Sequence, residues 1–248
     1  MSEFYSGFDG TGLALHRMGS GRPLVLLHGL FSSAEMNWIK WGHAALLAKA
    51  GFEVLMPDLR AHGHSAAPHD AAAYPADVLA RDLAGLIAQL GLTDYDLGGF
   101  SLGARTAVRG VIGGLMPRRL MLGGMGLEGL TGGTGRRNFF IDAIDRFDAV
   151  KPGDPAYFAV QFMKSMKVDR VAARLLLGSM TDTPPEALAA VTMPTLVVCG
   201  AEDRDNGSPD KLVAALPEAQ LVVIPGTHMS CVTTPDLGTA MRDFLTPN

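Results

Sequence analysis

The chain is expected to fold as an α/β protein, with a mostly parallel sheet, helices on both faces and a helical insert late in the chain. Three observations predict this. Short apolar runs alternate with amphipathic stretches along most of the 248 residues, the pattern of a parallel sheet whose strands are joined by helices. Runs such as Arg22-Pro23-Leu24-Val25-Leu26-Leu27 are nearly unbroken in apolar character, as strands buried on both faces are. The composition, 48% hydrophobic and 19% charged, supplies a large core and excludes disorder. A chain of this length suits one domain.

The elements follow in order. Residues 4–8 and 12–17 read as two short strands, with Asp9-Gly10 as the hairpin turn. The strand at 22–27 stops at His28-Gly29, and a helix is expected over 35–50, ending at Gly51. Phe52 to Pro57 is the next strand. The stretch 75–91 is helical, with Val78, Leu79, Leu83, Leu86, Ile87 and Leu90 on one side. A strand leads to Ser101, a helix follows it, and another strand lies near 118–123. The alternation then breaks: residues 125–138 are Gly-rich and expected to be irregular, and 138–190 read as all-helical with prolines as punctuation. It resumes with a strand from Pro194 to Cys199, a helix near 208–216, a strand at 221–224 and a helix near 235–245. Residues 1–124 and 191–248 are thus expected to form the core and residues 125–190 a helical cap over the carboxyl edge of the sheet, where open α/β sheets bind ligands.

A net charge of −4 gives no reason to expect nucleic acid or an anionic membrane as partner. Met1-Ser2-Glu3-Phe4 lacks the basic and then apolar layout of a leader. No apolar run approaches about 18 residues, so no membrane span is expected. Cys199 and Cys231 then read as reduced thiols of a cytoplasmic protein.

The chemistry centres on Gly99-Phe100-Ser101-Leu102-Gly103 at a strand-to-helix junction. Flanking glycines allow a turn sharp enough to lift the central hydroxyl clear of the sheet, as in a nucleophile elbow. With 30 glycines in the chain, a Gly-rich turn with a capping serine would look the same, so partners must decide. A serine nucleophile needs a base, and the base an orienting acid. Of seven histidines, only His228 follows the helical insert, in a loop directly beyond a strand. The acid is expected in Gly200-Ala201-Glu202-Asp203-Arg204-Asp205, with Asp203 favoured and Glu202 and Asp205 as competitors. For an oxyanion hole, Leu102 supplies the amide at the helix start, and Leu30 the second amide, with Phe31 as fallback. His28 is read as a hydrogen-bonding residue that shapes this loop.

These residues together resemble the α/β-hydrolase superfamily over essentially the whole chain. The matching segments are His28-Gly29, Asp58-Leu59-Arg60-Ala61-His62-Gly63-His64-Ser65, the elbow from Gly99 to Gly103, Gly200 to Asp203, and Gly226-Thr227-His228. The second segment usually reads D-x-R-G-x-G-x-S, and here Ala61 replaces its first glycine. The resemblance implies a Ser101, Asp203, His228 triad in that chain order, the acid falling on Asp203. It implies a serine hydrolase acting through an acyl-enzyme; the aromatic and methionine residues of the insert, with no basic cluster beside them, point to a small to medium, mainly apolar ester, of carboxylesterase or lactonase type. No cofactor and no metal are called for, and a small-molecule substrate is expected as partner. A carbon–carbon bond hydrolase acting on a diketone ring-cleavage product is the alternative. Its loops often carry extra glycine and proline beside the oxyanion His-Gly, where this chain has Leu30-Phe31-Ser32-Ser33. A non-catalytic binding protein on the same fold is the other.

Two further patterns weigh less. Gly124-Met125-Gly126-Leu127-Glu128-Gly129 fits G-x-G-x-x-G, but the Gly-rich run after it cannot start a sheet-packing helix, so no nucleotide site is expected. His62, His64, His69 and Asp70 lack the spacing of a metal chelate. The insert's Phe139, Phe140, Phe147, Tyr157, Phe158, Phe162, Met163 and Met166 are expected to form cap core and partly line the cavity. Trp38 and Trp41 are expected to face it too. No basic cluster marks an anionic group, although Arg136-Arg137 at the entrance to the insert is placed to contact one.

Overall fold

A computed structural model describes residues 3–246. Met1 and Ser2, on which the leader reading partly fell, lie outside them. Eight strands form one sheet: β1 (Glu3–Ser6), β2 (Gly12–Gly19), β3 (Arg22–Leu27), β4 (Phe52–Pro57), β5 (Asp96–Phe100), β6 (Leu120–Gly123), β7 (Thr195–Gly200) and β8 (Ala219–Ile224). Their spatial order is β1-β2-β4-β3-β5-β6-β7-β8. The opening hairpin pairs antiparallel, as does β2 with β4, and the rest of the sheet is parallel. Strand order reverses between β3 and β5, so a crevice opens beyond their carboxyl ends. That crevice is where Gly29 and Ser101 emerge.

The period of two along each strand divides the core. Leu24, Leu26, Val54, Met56, Met121, Leu196 and Val198 face α1 (His43–Lys49) and α9 (Pro235–Leu245). Val25, Leu27, Leu55, Leu97, Leu120, Leu122 and Val197 face α2 (Val78–Gln89), α3 (Leu102–Ile112) and α8 (Pro209–Ala215). Among the described residues no helix is long and apolar enough to cross a membrane.

Three expectations need correction. The helix expected over 35–50 is two pieces, a wide π-type turn at Glu35–Ile39 and α1, because Gly42 takes a left-handed φ of 81° between them. The irregular stretch expected at 125–138 is mostly helical: α4 (Leu127–Thr131) and the start of α5 (Thr134–Asp145) fall in it. Its glycines serve packing, since a Cβ at Gly126 would overlap the Gly207 backbone and one at Gly129 would press on Asn206 and Met125. Trp38 does not face the crevice; it is fully buried in the α1 and α9 core, and Trp41 is at the surface.

Between β6 and β7 also run α6 (Tyr157–Ser165), α7 (Arg170–Ser179) and a 3₁₀ turn at Pro185–Ala190. Ala143, Ile144, Val160, Met163, Ala173 and Leu177 of these helices form a third apolar cluster, which closes on Phe31 of the β3 loop. Phe158 lies outside it, 82% exposed.

Candidate active site

Ser101 sits between β5 and α3 with φ 52° and ψ −110°, a conformation costly for a residue with a side chain. The surroundings hold it there. Its amide donates to the Gly123 carbonyl at 2.8 Å, and its carbonyl accepts from the Arg105 amide at 3.0 Å. The flanking glycines are obligatory, because a Cβ on Gly99 would overlap the Gly103 backbone and one on Gly103 would overlap the Leu27 carbonyl.

His228, in the loop after β8, reaches Ser101: Nε2 lies 3.0 Å from Oγ. Its Nδ1 lies 2.8 Å from Oδ2 of Asp203, in the loop after β7. A carboxylate only accepts, so Nδ1 carries the proton and Nε2 is left to accept from the Ser101 hydroxyl. All three side chains are buried. Burial pushes the Asp203 carboxyl up, but the hydrogen bonds from His228 and from the Asp205 amide outweigh it and hold the group below its ordinary value. Its other oxygen accepts the Asp205 amide at 3.0 Å. Of the competing acids, Glu202 is exposed, and Asp205 is an exposed carboxylate paired with Arg136 at 3.0 Å.

At the first position of α3, the Leu102 amide has no partner within its own helix. The Leu30 amide, in the β3 loop, makes no hydrogen bond to any described residue. The Phe31 amide is already committed, donating to Nε2 of His62 at 2.9 Å. His62 in turn donates from Nδ1 to the Arg60 carbonyl at 2.9 Å. Burial holds its imidazole neutral, pushed down to about 3. His28 works in the same way. Nδ1 donates to the Gly29 carbonyl at 2.8 Å and Nε2 accepts the Leu59 amide at 3.0 Å. Two neutral histidines therefore bolt the β3 loop to the β4 loop. The buried Asp58 adds to this by accepting the Ala34 and His64 amides at 2.8 and 2.9 Å.

Asn206 was not foreseen from the sequence. Its side-chain amide donates to the Gly124 carbonyl at 2.8 Å and lies 3.4 Å from the Ser101 Oγ. The signal was available only in part: Gly207 has φ 83°, which turns the chain back under α4. His62, His64 and His69 go to separate partners. His64 stands near His16, and His69 meets Asp169 at 2.8 Å. Cys199 and Cys231 are both free and buried, and burial raises both thiols.

Beside Ser101 lies a cavity of about 160 Å³. Leu30, Leu102, Met125, Phe140, Leu177 and Met180 supply its apolar wall. Arg105, Arg136 and Arg137 also line it. Arg105 is buried and donates to the carbonyls of Gly129 at 2.7 Å, Leu130 at 3.2 Å and Thr181.

Residues 24–237 match the family model described as "Alpha/beta hydrolase family". The "AB hydrolase superfamily protein YisY" of Bacillus subtilis is 28% identical over 215 residues, 77% of this chain and 78% of that one. "Epoxide hydrolase 2" of Siraitia grosvenorii is 35% identical over 100 residues, 40% of this chain and only 30% of that protein's length. An esterase (EaEST) from Exiguobacterium antarcticum superposes with a TM-score of 0.79 at 22% identity, over 99% of this chain and 98% of that one. At that identity the likeness is one of fold.

Proposed function

The chain belongs to the alpha/beta hydrolase family and is a hydrolytic enzyme, and from that premise we propose that it is a serine hydrolase of small to medium, mainly apolar esters. The observation that carries this reading is the unbroken relay from Asp203 through His228 to the Ser101 hydroxyl, at 2.8 and 3.0 Å, opening on an apolar cavity.

Ser101 Oγ attacks the ester carbonyl while His228 Nε2 takes its proton. Asp203 keeps the imidazole in the Nδ1–H tautomer and stabilises the cation that forms. The Leu30 and Leu102 amides receive the developing oxyanion, the second with help from the α3 dipole. His228 then protonates the departing alcohol. Water, activated by the same imidazole, releases the acid from the acyl-enzyme. Asn206 donates to Oγ and keeps it aimed. Residues 125–190 act as a cap that excludes water and shapes the acyl site, over a core of residues 1–124 and 191–248.

The test is hydrolysis of 4-nitrophenyl acetate and butyrate by wild type and Ser101→Ala. Wild-type turnover is expected to fall to background in the variant, with the circular dichroism spectrum unchanged. Undiminished activity overturns the assignment.

A further inference from the structure

We infer that the cavity wall around Arg136 and Arg137 binds a carboxylate carried by the substrate, so that the ester attacked by Ser101 is an anionic one. This rests on the hydrolase reading and narrows its substrate class.

The wall carries three arginines, Arg105, Arg136 and Arg137, and three carboxylates, Glu128, Asp182 and Asp205, but they are unevenly paired. Arg105 meets Asp182 at 3.3 Å and Arg136 meets Asp205 at 3.0 Å. Glu128, on the same wall, is taken by Lys211 at 3.0 Å and the Ser208 amide at 2.8 Å. Arg137 has no carboxylate within salt-bridge distance among the described residues. Its guanidinium donates only to the Met180 carbonyl at 2.6 Å and the Thr134 hydroxyl at 3.2 Å. Five N–H donors are thus partly used, and with Glu128 taken by Lys211 the Arg137 guanidinium, beside the cavity that Ser101 also lines, has no carboxylate paired to it. The Arg136 pair with Asp205 is solvent-exposed, a kind that contributes little and exchanges readily.

Local folding does not account for these arginines. They lie in the first turn of α5, which has no acidic residue there and no side-chain cap. A helix dipole disfavours cations at that end and favours anions. A carboxylate docked between the two guanidiniums relieves both the dipole and the unmatched charge. Fork-shaped guanidiniums suit it because they bind a carboxylate through two parallel hydrogen bonds. Phe140, whose ring lies 5.2 Å from the Arg136 guanidinium and also lines the cavity, supplies the apolar surface between the charged end and the ester.

The test pairs isosteric esters with and without a terminal carboxylate. The acyl-side pair is 4-nitrophenyl hydrogen adipate with 4-nitrophenyl hexanoate, and the alcohol-side pair is 4-acetoxybutanoate with butyl acetate. In at least one pair, wild type should favour the anionic ester in kcat/KM by about tenfold or more, the scale of a charge-assisted contact. Arg137→Met should collapse that ratio through KM, and Arg137→Lys should restore part of it. Calorimetric titration with adipate, set against hexanamide, reads the same site without turnover. No preference in either pair, or one that survives Arg137→Met and Arg136→Met together, overturns the inference. If neutral esters are cleaved but adipate does not bind, the subsite fails and the hydrolase stands. If adipate binds the wild type and not Arg137→Met while no ester is cleaved, the reverse holds.

Discussion

Ser101 shows how a single residue is forced into use. Its positive φ is tolerated because neighbours that lack side chains, Gly99 and Gly103, let two backbones cross where any Cβ would collide. The strain then presents Oγ to His228 rather than to its own helix. The role given to Asp203 is tautomer control, and it has a distinct consequence. Asp203→Asn can donate to Nδ1 and so leaves Nε2 protonated, unable to accept from Ser101. Steady-state kinetics should show kcat down by about 10³ to 10⁴, with KM little changed. A loss under about tenfold would mean that Asp203 does not set the tautomer. That Ser101, His228 and Asp203 come together was legible in the sequence because each follows a strand and their order along the sheet is fixed by topology. Asn206 was not, because its approach to Oγ depends on how Gly207, Gly126 and Gly129 let the acid loop nest under α4.

At the scale of elements, Arg60 ties together parts of the sheet edge that share no sequence neighbourhood. Its buried guanidinium forks onto Asp82 of α2 at 2.8 Å and reaches Asp9 in the β1–β2 turn at 2.8 Å. It also donates to Thr11 and to the Ala73 carbonyl. Removing it strands Asp82, whose carboxyl burial already pushes up. Arg60→Leu should therefore lower unfolding free energy by about 3 to 5 kcal/mol in urea titration; a loss below about 1 kcal/mol would contradict the account. The same fork explains why Arg belongs in the Asp58 to Ser65 segment. The departure there, Ala61 with φ 65°, is accommodated with strain rather than by a changed loop. The insert was harder to read than the strands. Its helices are short, their apolar faces pack on one another and on Phe31, and glycines that look like loop formers turn out to be contact surfaces.

For the molecule as a whole, the buried histidines set the acid limit of stability. Burial lowers His28, His43 and His62, the last to about 3. An unfolded imidazole protonates near ~6.5. The unfolded chain therefore binds more protons below that pH, so this stabilisation is complete above about pH 6.5 and is lost as the pH falls toward the folded values. Each such histidine contributes a slope of about 1.4 kcal/mol per pH unit. His62→Gln keeps an oxygen able to accept the Phe31 amide. Its urea stability measured between pH 6.5 and 4.5 should fall less steeply than wild type by about one such increment; an identical slope would show that His62 is not held neutral. The sheet with its antiparallel edge was foreseeable because unbroken apolar runs mark the buried parallel strands and Asp9-Gly10 marks the opening hairpin. Arg136-Arg137 stood out in the sequence, but the uneven pairing on the cavity wall did not, because it depends on Asp182, Asp205 and Lys211, which lie far along the chain from them.

The most direct measurement of the central claim is covalent. Intact-mass spectrometry after treatment with a fluorophosphonate should show a single adduct on wild type, mapped by peptide digestion to Ser101. Ser101→Ala should show none, and His228→Ala should be labelled far more slowly. A wild-type protein that stays unlabelled while it hydrolyses esters, or an adduct that persists in Ser101→Ala, would contradict Ser101 as the nucleophile.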